Sequence, residues 1–184
     1  PAKIDTKTIT ITINGSNDAP VIDTYALDDA NINGIIESGK PLKLADTGVI
    51  VFSDIDFLNR PTATEVLKSI TALRRVVDIN TPREQFNLDS TQITNITNAF
   101  SISTPIDNTN NGIVNWEYAI SQANVDFLGA GESVIAVFTV TVKDSTTGLS
   151  DTQDITITIA GENKTPTLSA ETKTKIAELQ NPNF

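Results

Sequence analysis

The stretch that decides the fold is QDITITIAG, residues 153–161, in which isoleucine and threonine alternate from Ile155 to Ile159. Alternation with a period of two places the isoleucines on one face of an extended chain and the threonines on the other. Both residue types are β-branched and favour strands. The sequence therefore predicts a half-buried β-strand that ends at Gly161.

A second copy of this element lies near the start of the chain. Residues 7–23, KTITITINGSNDAPVID, align without gaps with residues 153–169, QDITITIAGENKTPTLS. Each copy has the Ile/Thr strand, then a glycine, then a polar turn that reaches Pro20 or Pro166. Proline fixes its own φ and keeps the preceding residue extended, so each copy predicts a strand followed by a short, stiff connector. Two copies of a boundary element indicate a tandem array.

We therefore expect three parts in the chain. Residues 1–20 are the last strand of a preceding unit plus a linker, residues 21–161 are one complete unit, and residues 162–184 are a linker and the start of the next unit. Within the complete unit, residues 113–120 (IVNWEYAI) and 134–142 (VIAVFTVTV) alternate, and turns rich in Asp, Asn and Gly separate such segments. This pattern predicts an all-β fold, an antiparallel β-sandwich.

Some segments leave alternatives open. Residues 64–77 fit a helix by the spacing of their apolar residues and a long strand by their Thr, Val and Ile content; we favour the strand. Residues 170–180 fit either a helix or the first hairpin of a truncated unit. Trp116 and Tyr118 could stack on a carbohydrate, but they share a face with valine and isoleucine, which favours packing in the core.

The composition excludes several classes of function. The chain of 184 residues has no Cys, His or Met, and its formal net charge is −10. It therefore lacks the usual ligands of zinc, haem and iron–sulfur sites and the common nucleophile–base pairs of enzymes. The negative charge disfavours nucleic acid and anionic membranes as partners, and no apolar run is long enough to insert into a membrane. Carboxylate-only hydrolysis remains, but the acidic pairs lie in predicted turns or at domain ends, which indicates that the protein is not an enzyme.

Five motifs in a fixed order give the chain a family resemblance. They are ITITINGSNDAP, FSDID, GIVNWEYAI, FLGAGES and FTVTVKDSTTGLSDTQDITITIAG. Over residues 5–167 the chain resembles the VCBS-type, cadherin-like tandem repeats of giant RTX adhesins of bacteria. The resemblance implies a Greek-key β-sandwich that extends a surface protein exported by type I secretion. It also implies an extracellular or cell-surface location, a monomeric repeat with neighbouring repeats as partners, a role in cell adhesion and biofilm formation, and stiffening by Ca²⁺ between repeats.

The residues themselves favour a cation site at the N-terminal junction. Asn17 and Asp18 lie in the linker, and in a sandwich the turn with Asp54 and Asp56 and the hairpin that opens at Asp144 should reach the same end. Ca²⁺ takes roughly six to eight oxygen ligands, including several carboxylates. The resemblance names the same five residues as ligands, so we expect them to bind Ca²⁺. Turn formation alone also explains Asp and Asn at such positions.

At the opposite end of the unit the resemblance implies a second, weaker site. Its candidate ligands are Glu37, Glu132 and Asn163. Lys164 stands where Asp18 stands in the first copy, and an ammonium group cannot coordinate a cation. Three alternatives therefore stay open at this end: weak binding of Ca²⁺, no binding of Ca²⁺, or Lys164 itself as the counter-charge. At the first site, the main-chain carbonyl of Asn59 is a further candidate.

The alternative function is a module of the same adhesin that binds a glycan or a protein. The long stretch from Pro61 to Asn111 has Asn/Thr-rich segments that could form a ligand surface. Against this, the sequence shows no cluster of aromatic residues that would suit a glycan, and the array pattern continues at both ends. These observations favour the stalk.

Overall fold

The computed structural model describes residues 2–23, 33–37, 43–75 and 82–161. In this part of the chain it has nine strands, one α-helix and a short 3₁₀ helix at residues 122–124. The bounds are β1 Val21–Ile22, β2 Asn33–Glu37, β3 Lys43–Ser53, β4 Thr62–Arg74, β5 Glu84–Phe86, α1 Ser90–Thr97, β6 Phe100–Ser103, β7 Gly112–Ser121, β8 Ser133–Lys143 and β9 Ser150–Ala160.

The strands form two sheets that pack as a sandwich. One sheet has the order β1-β3-β7-β6, and the other has the order β2-β9-β8-β4-β5. In the described part of the chain, consecutive strands change sheet five times: β1 to β2, β2 to β3, β3 to β4, β5 to β6 and β7 to β8. The predicted all-β sandwich is confirmed. One pairing differs from the antiparallel expectation, since β2 pairs with β9 in parallel. A parallel pair needs a long connection, and the stretch of chain between β2 and β9, which includes most of the domain, provides it.

The stretch that decides the fold lies inside the larger sheet as β9. Ile157 pairs with Ala136 of β8 on one side and with Gly34 of β2 on the other. Ile155, Ile157 and Ile159 are fully buried, while the threonines between them are partly exposed. The half-buried strand predicted from the alternation is therefore confirmed for this copy.

Aromatic rings pack among the aliphatic side chains of the core. Phe100 stacks on Phe138 with ring centroids 4.3 Å apart, and Trp116 and Tyr118 are both buried. Burial raises the pKa of the Tyr118 hydroxyl, since the charged form would lose its solvation. Trp116 and Tyr118 thus pack in the core as predicted and are not exposed for stacking on a carbohydrate.

The long stretch between β3 and β7 is built into the sandwich. The strand interpretation of residues 64–77 is confirmed as far as Arg74, where β4 ends. The helix α1 was not predicted, although its start has a capping box: Asp89 accepts from the N–H of Gln92, and the Gln92 side chain accepts from the N–H of Asp89. With β5 and β6, these elements leave no separate lobe for a ligand in the described residues.

The first copy of the Ile/Thr pattern has a different structure. Residues 2–20 have no regular secondary structure, and Ile9, Ile11 and Ile13 are 79–90% exposed. Residues 9–13 form no strand within this chain, and their assignment to the last strand of a preceding unit stays a prediction. A strand needs a neighbour for its backbone groups and a surface for its apolar face, and the pattern alone supplies neither.

Some expectations concern residues outside the described ranges. These are the segment 170–180, the linker residues Asn163 and Lys164, and the side chain of Glu37. In the part of the chain that is described, no helix is long and apolar enough to cross a membrane.

Candidate cation site

Three loops and the linker meet at one end of the sandwich, which we call the N-terminal pole. It comprises the linker 14–20, the turn 54–60, the loop 104–111 and the turn 144–149. Strands β3 and β8 end at this pole, and β7 and β9 begin there. The linker, the turn after β3 and the last hairpin therefore converge, as the sequence predicted for a sandwich.

Asn17 joins the linker to two parts of the domain. Its Nδ2 donates to the carboxylate of Asp144 and, at 2.9 Å, to the hydroxyl of Thr147. Its Oδ1 accepts from Nδ2 of Asn59 at 2.9 Å. A single linker side chain thus contacts both the turn after β3 and the last hairpin.

The turn after β3 is organised around the buried side chain of Asp54. Its Oδ1 accepts from the N–H of Asp56 at 2.8 Å, whereas Oδ2 lies 3.5 Å from Nδ2 of Asn59. The N–H of Asp54 donates to Oδ1 of Asn111 at 3.1 Å, and its carbonyl accepts from Nδ2 of Asn110. The main chain of Asp54 and its Oδ1 are thus hydrogen-bonded. Its Oδ2 has just the 3.5 Å contact with Asn59 among the described residues.

The linker also reaches this turn through its backbone. The N–H of Asp18 donates to Oδ2 of Asp56 at 2.7 Å, and the Asp18 side chain is exposed. Asp18 therefore contributes its N–H to the cluster rather than its carboxylate. The Asn59 carbonyl, predicted as a further ligand, accepts from Nη1 of Arg60 at 2.6 Å. The buried amide of Asn59, which contacts Asn17, is the part that faces the cluster.

Asp144 opens the last hairpin and is 2% exposed. Its carboxylate accepts from the N–H groups of Thr146 and Thr147 at 2.9 and 3.1 Å and from the Thr147 hydroxyl at 2.8 Å. Burial alone would raise its pKa, but these hydrogen bonds and the one from Asn17 outweigh burial and lower the pKa to about 2. The carboxylate is therefore ionised near neutral pH.

Asp54, Asp56 and Asp144 share the pole without a basic side chain bonded to them among the described residues. Two ion pairs lie on the five-stranded sheet. Arg60 is close by but donates to main-chain carbonyls. Within the described ranges, no three acidic side chains form a group that could hold a metal by themselves. Amide side chains lie between the carboxylates, so any cation here would need both kinds of oxygen.

Large apolar side chains are exposed in two of the loops that form the pole. Ile55, Phe57 and Leu58 are 75–85% exposed on the turn after β3, and Ile106 is fully exposed in the loop before β7. A cavity of about 400 Å³ lies against residues 15–17 and 56–59. Exposed apolar side chains that lie close together mark contact surfaces in soluble proteins.

At the opposite end of the sandwich, the structure describes just part of the second set of predicted ligands. Glu37 pairs through its backbone with Ala160 at the end of β9, and Glu132 immediately precedes β8 at the same end. The carboxylate of Glu132 accepts from the N–H of Gly129 at 2.9 Å and so closes its own turn. Asn163 lies outside the described residues. The described part of this end has no cluster comparable to that of the N-terminal pole.

Sequence analysis missed the neutral side chains that hold the cluster together. The run after Asp144, Ser-Thr-Thr, carried a usable signal, because an Asp side chain often accepts from backbone two residues on in such turns. No local pattern shows that the amides before β7 reach Asp54. The missed residues are Asn110, Asn111, Thr146 and Thr147.

The pole thus offers carboxylate, amide and hydroxyl oxygens, which is the chemistry of a site for a hard divalent cation. No protein-family model and no curated protein sequence matches this chain. Any assignment of function therefore depends on the sequence motifs, on the fold and on the geometry of this pole.

Proposed function

We propose that this chain is a non-catalytic stalk repeat of a large bacterial surface adhesin, and that Ca²⁺ stiffens its junction with the preceding repeat. Its partners are the neighbouring repeats, and it extends the adhesin outside the cell in adhesion and biofilm formation. The observation that carries the proposal is the N-terminal pole, where the linker meets two turns that each hold a buried carboxylate.

The first support is the uncompensated charge at this junction. Asp54 and Asp144 are 4% and 2% exposed. Buried charges in proteins are normally paired with opposite charges or bound to metals, because burial removes their solvation. The low pKa of Asp144 means that protonation does not relieve this charge near neutral pH. A divalent cation would supply the missing positive charge.

The second support is the set of donor groups. Asp54, Asp56 and Asp144 offer carboxylates, and Asn17 and Asn59 offer amide oxygens. Ca²⁺ accepts this mixture in a shell of roughly six to eight oxygens and tolerates irregular geometry. Because Asn17 belongs to the linker and the other four to the domain, an ion held by this set would tie the linker to the domain.

The third support is the apolar rim of the pole. Ile55, Phe57, Leu58 and Ile106 are exposed in loops that surround the junction. A neighbouring repeat that packed on this end would bury them, as the apolar centre of a domain interface does. The ion would then fix the linker, and the rim would fix the angle between the repeats. Both effects resist bending of the stalk.

Thermal unfolding of the whole chain, in EDTA and across a calcium titration, tests the proposal. An ion that binds just the folded state stabilises it by about 2.7 kcal/mol at a concentration about a hundredfold above its Kd. We expect the midpoint of unfolding to rise with Ca²⁺. It should rise much less with Mg²⁺, which requires a smaller and stricter octahedral shell.

A pair of variants locates the effect. Asp54→Asn combined with Asp56→Asn removes two charges at the pole and should abolish most of the calcium response. Glu65→Gln, which removes one exposed carboxylate that lies on β4 and outside the cluster, is the control and should keep the full response. The proposal is contradicted if Ca²⁺ leaves the wild-type midpoint unchanged, or if the double variant responds like the control.

A further inference from the structure

The chain contains three Asn-Gly pairs, at residues 14–15, 33–34 and 111–112. In such a pair the backbone nitrogen of the glycine can attack the Cγ carbonyl of the asparagine. A C–N bond forms, ammonia leaves, and the product is a five-membered succinimide; water then opens the ring to aspartate or isoaspartate. Glycine favours this step because it has no Cβ to hinder the attack and allows many backbone conformations. The step needs local backbone freedom, so the surroundings of each pair decide its rate.

The pair at Asn14 and Gly15 has this freedom. Both residues are exposed and lie outside regular secondary structure. Within the described residues, the first hydrogen bonds between this segment and the domain begin at Asn17. A Cβ added at Gly15 would meet nothing within 4 Å, and the φ of Gly15 is not in the left-handed region. Neither space nor backbone conformation therefore requires a glycine at this position.

The pair at Asn111 and Gly112 is restrained. The Asn111 Oδ1 accepts from the N–H of Asp54 at 3.1 Å, and Gly112 pairs with Phe52 at the start of β7. A Cβ at Gly112 would collide with the side chain of Asn108. That side chain is itself held in place by hydrogen bonds to the N–H and the carbonyl of Ile113. The side chain of Asn108 thus leaves no room for a Cβ at position 112, and the backbone of Gly112 is paired within the sheet.

The remaining pair is restrained through its backbone. Asn33 and Gly34 lie in β2 and pair with Thr156 and Ile157 of β9. A paired strand has to open before the glycine nitrogen can approach the asparagine carbonyl. The rate then falls in proportion to the fraction of molecules that are open, which decreases exponentially with the free energy of opening. The fold therefore protects two of the three Asn-Gly pairs and leaves one unprotected.

We propose that Asn14 is a site of spontaneous deamidation, at which the linker gains a carboxylate with time. The conversion makes the net charge one unit more negative than −10 and places the new charge three residues before Asn17. The isoaspartate product also inserts one methylene into the main chain of the linker, which changes its reach. The modification alters the charge and the length of the segment that Asn17 attaches to the domain. This inference does not depend on the binding of Ca²⁺, and it concerns this chain, in which residues 9–15 have no strand beside them among the described residues. A preceding repeat that took up residues 9–13 as its last strand would protect Asn14 in the way that the sheet protects Asn33.

Ageing of the full chain at mildly alkaline pH tests the proposal, with peptide mapping by mass spectrometry at all three pairs. Labelling with a protein isoaspartyl methyltransferase identifies the isoaspartate product. We expect conversion at Asn14 to be about tenfold or more faster than at Asn33 and Asn111, because opening of the sheet limits the latter two. Equal rates at the three sites, or no conversion at Asn14, would overturn the proposal.

Two controls separate the effect of the fold from that of the flanking sequence. Gly15→Ala should slow conversion at Asn14 and leave the midpoint of unfolding unchanged, since the added methyl group meets no neighbour. In denaturant the three sites should convert at similar rates. If the difference between Asn14 and Asn111 persists in the unfolded chain, flanking residues cause it and the proposal fails.

Discussion

The two copies of ITITI in this chain have the same sequence and opposite environments. Residues 155–159 form an interior strand of the larger sheet, and each of their isoleucines is buried. Residues 9–13 form no strand, and their isoleucines are exposed. β9 has β8 on one side and β2 on the other, while the first copy has no strand beside it in the described residues. Alternation makes a segment suitable for a sheet, and its neighbours decide whether it joins one.

The largest contrast between the copies is expected from isoleucine truncation. Ile157→Ala removes a fully buried side chain and should lower the free energy of unfolding by about 2–5 kcal/mol. Ile11→Ala, at the equivalent position, should change it by less than about 0.5 kcal/mol. Unfolding by urea measures both. A comparable loss for Ile11→Ala would mean that the first copy docks on the domain in solution.

The glycines that end the two copies should differ next. A Cβ at Gly161 would lie 2.8 Å from atoms of Leu128 and closer still to the carbonyl of Gly129, so Gly161→Ala should cost about 1–3 kcal/mol of stability. Gly15→Ala should cost almost nothing, because its Cβ would be in open space. The same unfolding experiment compares the pair. Equal effects of the two substitutions would contradict the packing described for the end of β9.

Acid should weaken the attachment of the linker that follows the first copy. The pKa of Asp144 is lowered from 3.8 to about 2 in the folded state, so the folded chain binds this proton more weakly than the unfolded chain. The resulting stabilisation is present above about pH 4 and is lost as the pH falls towards about 2. In EDTA, Asp144→Asn should therefore flatten the acid side of the stability curve. An unchanged acid side would show that Asp144 has an ordinary pKa.

The smallest difference in stability between the copies is expected from substitutions on the face that the threonines share, opposite the isoleucines. Asp154 accepts from Nζ of Lys68 at 2.5 Å and from the Thr139 hydroxyl at 2.6 Å, and the bond from Lys68 is the main cause of its lowered pKa. Both partners of this ion pair are substantially exposed, so Asp154→Ala should cost about 0.2–1 kcal/mol, and less at high salt. Thr8→Ala, at the equivalent position, should have no measurable effect. A cost that is independent of salt would contradict this account.

Local patterns predicted the parts of the fold that depend on local properties. Side-chain alternation identified β8 and β9, and the position of Trp116 among apolar residues placed it in the core. Alternation carries no information on partners. The parallel pairing of β2 with β9 and the lack of a strand at residues 9–13 both depend on which segments are adjacent in space.

The N-terminal pole was predicted in outline and not in detail. Once a sandwich is assumed, the ends of β3 and β8 lie at the pole that the linker reaches, so Asn17, Asp54 and Asp144 were expected to meet there. The contributions of single groups depend on rotamers and loop paths. For this reason the sequence did not predict that Asp18 uses its N–H or that Asn111 holds Asp54 from a distant loop.

Hydrogen exchange of the whole chain, with and without Ca²⁺, tests the central claim most directly. We expect Ca²⁺ to slow exchange of the linker amides around Asn17 and Asp18 and of the turn from Asp54 to Asn59. Residues 9–13 should exchange rapidly in both conditions, and residues 155–159 should stay protected in both. Linker exchange that is unaffected by Ca²⁺, or slowed equally by Mg²⁺, would contradict a calcium-stiffened junction.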